Sequence, residues 1–102
     1  MRKMLHTVNK SPFDHGALQA CLRYARPGSA VLLIEDGVYA AARGTAVAER
    51  MQEALKHVQV YALKPDVEAR GMQNRVMDGV RLVDYGGFVD LVVEHDAVQS
   101  WL

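Results

Sequence analysis

Ala30-Val31-Leu32-Leu33-Ile34-Glu35-Asp36-Gly37 is the stretch on which the fold turns. Its first five positions are all apolar, with no polar residue between them. A strand wetted on one face alternates apolar with polar, whereas an unbroken apolar run suits a parallel strand covered on both faces. Asp36-Gly37 then supplies turn chemistry directly behind it. Outward from this run, Met4 to Val8 reads as an earlier strand, Val58 to Leu63 and Val80 to Val83 as later ones, and Ala97 to Leu102, with Trp101, as a short last one. Helical patterns lie between them. That alternation predicts an α/β fold, a mostly parallel sheet of about five strands in a single domain over residues 1–102.

The first helix is expected from Asp14, as its cap, to about Ala25, where Pro27-Gly28 stops it. Leu18, Cys21, Leu22 and Ala25 share one face of it. A short alanine-rich helix is expected over Val38 to Ala42, broken near Gly44. Another follows, with Val47, Met51, Ala54 and Leu55 on its buried side. Lys64-Pro65-Asp66 opens a short helix that ends at Gly71, proline at the start and glycine past the end. Gln73 to Gly79 reads as a polar connection. After Asp84 a last helix places Phe88, Leu91, Val92 and His95 on one stripe.

Composition narrows the function. Half of the 102 residues are hydrophobic, too many for disorder, and twelve acids balance twelve bases. Zero net charge argues against direct nucleic-acid binding through bulk electrostatics, and suits a protein that lives in an assembly. No run approaches the roughly 20 apolar residues of a membrane span. The start, Met1-Arg2-Lys3-Met4, lacks a signal-type apolar run, because His6, Asn9 and Lys10 interrupt it, so a cytoplasmic protein is expected.

In an open parallel sheet, functional groups gather beyond the carboxyl ends of the strands. Those ends present Asn9-Lys10-Ser11, Glu35-Asp36-Gly37, Lys64-Pro65-Asp66 and Asp84-Tyr85-Gly86. The rim is polar and acidic, an active edge or a docking edge. Adjacent carboxylates such as Glu35 and Asp36 can serve as an acid/base pair, but Asp36-Gly37 reads more simply as a strand-to-helix turn with a capping aspartate. Glycine spacing gives no phosphate cradle. His15, His57 and His95 lack ligand spacing, and one cysteine cannot build a thiol cage, so neither metal nor cofactor is expected. Tyr39, Tyr61, Tyr85 and Trp101 are candidate interface anchors.

Two side chains stand out for chemistry. Cys21, the single cysteine, can accept a sulfane sulfur as a persulfide and pass it to another thiol without a cofactor. It lies in an apolar stripe about two turns into its helix, where cysteines are often simply packed. His6, beside the rim, is a candidate base or a hydrogen-bonded structural histidine.

Leu5-His6-Thr7-Val8-Asn9-Lys10-Ser11-Pro12-Phe13 resembles the opening signature of the DsrH/TusB family. Leu32 to Ala41 resembles the family's second block, and Val60-Tyr61-Ala62-Leu63 with Asp66 and Ala69-Arg70-Gly71 its third. Val83-Asp84-Tyr85, Phe88-Val89-Asp90-Leu91 and Trp101 resemble the fourth. The resemblance implies a Rossmann-like, three-layer α/β/α subunit of the DsrEFH/TusBCD kind, joined to two sister subunits, DsrE/TusD-like and DsrF/TusC-like, as a dimer of heterotrimers. It implies persulfide relay to a small cysteine-bearing carrier of the DsrC/TusE type, in sulfur oxidation or in wobble-uridine 2-thiolation of tRNA. The principal sulfur-carrying cysteine of such complexes belongs to a sister subunit. Cys21 matches the position where DsrH-type members carry a cysteine, which makes it the candidate catalytic residue and tilts the resemblance toward the DsrH type. The alternative is a non-catalytic scaffold subunit. The resemblance also places the usual family start at Met4.

Overall fold

In the computed structural model, which describes residues 3–102, the elements follow the expected alternation; the first two residues of the expected start lie outside that range. The strands are β1 (Met4–Val8), β2 (Ala30–Leu33), β3 (Gln59–Leu63), β4 (Val80–Val83) and β5 (Ala97–Trp101). The helices are α1 (Ala17–Tyr24), α2 (Ala48–Ala54), α3 (Lys64–Ala69) and α4 (Tyr85–Glu94), with a 3₁₀ helix over Glu35–Ala41. All five strands are parallel, in the order β4-β3-β2-β1-β5. β2 is central and buried at every position, as its unbroken apolar run requires.

Alternation along the strands sends side chains to two faces. On the first, Val8, Val31, Leu33, Val60 and Ala62 pack with Leu18 and Cys21 of α1, Val38 of the 3₁₀ helix, Met51 of α2 and Val67 of α3. On the second, Leu5, Ala30 and Leu32 pack with Leu91 of α4, and half-buried Phe88, Tyr61 and Val83 close the cluster. Each large aliphatic side chain fully buried in these clusters stabilises the fold by about 1.5–3 kcal/mol.

Two glycines are fixed by geometry. A Cβ on Gly37 would sit 2.1 Å from the carbonyl oxygen of Val8, so only glycine lets the turn after β2 cross the end of β1 this closely. Gly71 has φ 63°, and its N–H donates to Glu68 O while Met72 N–H donates to Val67 O, both at 3.0 Å. This is a Schellman ending, completed by Val67 and Met72 in the same apolar cluster.

Four expectations are corrected. α1 begins at Ala17, after a Gly16 cap that offers no side-chain hydrogen bond, instead of at Asp14. The donors that Asp14 was expected to cap lie elsewhere, and Asp14 N–H and His15 N–H themselves bond to Ser11 O, while Phe13 N–H bonds to Ser11 Oγ. The short helix after β2 is of the 3₁₀ type and starts at Glu35, because Gly37 N–H turns straight back to Ile34 O at 2.8 Å. The connection after Gln73 is not simply polar. Ala42 and Val76 form an antiparallel bridge, and Met77 is buried. Finally, α4 buries a narrower stripe than expected, since Val92 is exposed and His95 is half-buried.

Candidate functional site

The rim beyond the strand ends is assembled as expected, but its acids are occupied with structure. Asp66 accepts the backbone N–H of Glu35 at 2.7 Å, which holds Glu35 at φ 50°. Arg70 donates to Asp36 Oδ1 from Nε at 3.1 Å and from Nη2 at 2.9 Å, and to Asp66 O from Nη1. Its guanidinium also lies 6.0 Å from the ring centre of Tyr39. Asp36 therefore pairs with a side chain across the rim and does not cap a helix; Ile34 holds the cap position. Asp84 does cap, accepting Gly87 N–H at 2.8 Å. The Asp36 carboxylate is engaged by Arg70, which leaves the plain structural reading of this pair the better supported one.

Cys21 lies on the inward face of α1, fully buried at 0% exposure. Its neighbours belong to the first-face cluster, with Leu18 one turn before it and Val8, Val31 and Met51 across the interface. Burial pushes the thiol up to about 12. A thiolate is the nucleophile in sulfur transfer, and burial of this thiol disfavours that form.

His6 is nearly as buried, at 4% exposure, but has a polar partner. Trp101 Nε1–H donates to His6 Nδ1 at 3.0 Å, and the two rings lie 6.1 Å apart. Tyr24 stacks on the other side of Trp101 at 5.8 Å. Burial lowers the pKa of His6 from its ordinary value, so the ring stays neutral at physiological pH. The sequence singled out His6 and Trp101 separately, as a candidate base and a candidate anchor. Their meeting depends on β5 pairing with β1, where His6 stands opposite Gln99 and Val8 opposite Trp101. Tyr24 and Ser29, which border the same place, carried no signal of their own.

Among the described residues, no group of three His, Cys, Asp or Glu side chains is arranged to hold a metal ion. No helix among them is long and apolar enough to cross a membrane.

Residues 10–98 match the family model described as DsrH like protein. The chain belongs to the DsrH-like family. Protein TusB of Pectobacterium parmentieri is 42% identical over 98 residues, covering 96% of this chain and all of the relative. Protein TusB of Escherichia coli K12 is 39% identical over 100 residues, with the same coverage. The crystal structure of the ychN protein from E. coli superposes with a TM-score of 0.83 over 98% of this chain and 99% of that one; at 22% identity it speaks for the fold alone. Family, full-length relatives and fold agree with the resemblance of the four sequence blocks. For this DsrH-like chain they support a place in a sulfur-relay complex with sister subunits.

Proposed function

We propose that this DsrH-like chain is a scaffold subunit of the sulfur-relay complex, supplying surfaces while a sister subunit carries the sulfur. The observation behind this reading is the state of Cys21: fully buried in an apolar cluster, its thiol pushed up to about 12. A persulfide relay needs a thiolate that an incoming sulfur can reach, and this thiol meets neither condition.

The outer side of α4 favours a role in assembly. Tyr85, Val89 and Val93 are exposed on it, Val93 at 78%, and Val98 of β5 is exposed on the same sheet face as Leu5 beneath α4. Contiguous apolar surface of this kind on a small protein marks an interaction site. The partners proposed are the two sister subunits, DsrE/TusD-like and DsrF/TusC-like, in a dimer of heterotrimers in the cytoplasm. A small DsrC/TusE-like carrier receives the sulfur, for sulfur oxidation or tRNA 2-thiolation.

The second reading, sulfur carried on Cys21, has one observation in its favour. α1 is eight residues long and lacks a side-chain cap at its start, so its local opening is cheaper than global unfolding. The test is to load the purified complex with a sulfane donor and take the intact mass of each chain. The scaffold reading expects one added sulfur on a sister subunit and none here. A sulfur adduct on this chain that Cys21→Ser abolishes establishes the second reading instead.

A further inference from the structure

Beside the His6–Trp101 pair the surface opens into a cavity of about 650 Å³. Met4, His6, Gln99 and Trp101 line it from the strands, Ser29 from the residue before β2, and Tyr24 and Arg26 from the end of α1 and just beyond. The volume falls within the roughly 300–1,000 Å³ range of small-molecule sites.

Its polar groups are matched to an acceptor. An indole N–H can only donate, so the 3.0 Å bond from Trp101 makes His6 Nδ1 an acceptor and leaves the proton of the neutral ring on Nε2. Among the described residues that Nε2–H has no hydrogen-bond partner, and the atom is not sealed from solvent. The Ser29 hydroxyl is likewise absent from the buried side-chain atoms that lack a partner among the described residues. Arg26 makes no ion pair among the described residues. Neither aspartate nor glutamate lines the cavity. The rest of the wall is the amide of Gln99 and an apolar part formed by Met4 and the stacked rings of Tyr24 and Trp101.

We propose that this cavity binds a small planar carboxylate, its acid group held by His6 Nε2–H, the Ser29 hydroxyl and the Arg26 guanidinium, its ring against Trp101. Arginine contributes charge and a two-pronged geometry that fits a carboxylate. The neutral imidazole donates without needing a proton from solvent, since burial keeps it from charging at physiological pH. Cys21 is not part of the cavity lining, although Trp101 packs against the cluster that contains it.

Trp101 is the single tryptophan, so its fluorescence reports on this cavity without a competing signal. Benzoate is the probe, and benzamide, of the same shape without the charge, is the control. The proposal expects saturable quenching by benzoate and weaker binding of benzamide. Arg26→Gln, an exposed change that leaves the fold intact, weakens benzoate binding roughly tenfold. In nitrogen NMR, benzoate shifts His6 Nε2 in the wild-type chain and leaves Nδ1 in its acceptor state. Absence of saturable quenching overturns the proposal, as does equal affinity for benzamide or for benzoate in Arg26→Gln.

Discussion

The two faces of the sheet are covered very differently. On the first, α1, the 3₁₀ helix, α2 and α3 together enclose a continuous apolar cluster that contains Cys21. On the second, α4 alone covers Leu5, Ala30 and Leu32 and turns Tyr85, Val89 and Val93 outward. The residue that looks most chemical lies on the well-covered side, where it contributes packing. The sparsely covered side has no reactive group but carries the apolar surface that a partner can bury. Chemical potential in a side chain and access to it are separate properties, and at Cys21 they part.

The largest effects are expected in the well-covered layer. Leu18→Ala, at a site with 0% exposure, should cost about 2–5 kcal/mol in urea unfolding. A loss under about 1 kcal/mol would mean that this layer is loosely packed and the contrast between the faces is false. Cys21→Ser should cost about 1–3 kcal/mol, because it buries a hydroxyl in place of a thiol among aliphatic groups. An unchanged midpoint there would place Cys21 in contact with water or a polar group.

On the other face the changes are smaller. Asp84→Ala removes the cap that holds the first turn of α4 and should cost about 1 kcal/mol, measured by thermal melting. Val93→Ser, on the outer side of α4, should alter the stability of the isolated chain by less than about 0.5 kcal/mol. The same substitution should shift the complex toward free subunits in size-exclusion chromatography. A stable chain that still assembles normally would remove α4 from the proposed interface.

Much of this arrangement was readable where the chemistry is local. The apolar run of β2 marked a strand buried on both sides, and Pro65 and Gly71 bracketed α3, whose ending is a Schellman motif. Local signals misled where a competing local bond took over: Ser11 draws Asp14 and His15 into turns, so α1 starts later than expected. Contacts between distant residues were not readable. The pair His6 and Trp101 is 95 residues apart and forms only because β5 returns beside β1. Met77 is buried because an antiparallel bridge between Ala42 and Val76 draws a polar-looking connection inward. Cys21 shows the same gap in another form, since an apolar helical stripe locates a cysteine on an inward face but does not measure how completely that face is closed.

The measurement that tests the scaffold account most directly is the rate at which Cys21 reacts with a thiol-specific disulfide reagent in the assembled complex, followed by the mass of this chain. The account predicts labelling at least about 10³-fold slower than in denaturant, paced by opening of the fold. Stoichiometric labelling of native Cys21 as fast as in the unfolded chain would contradict it.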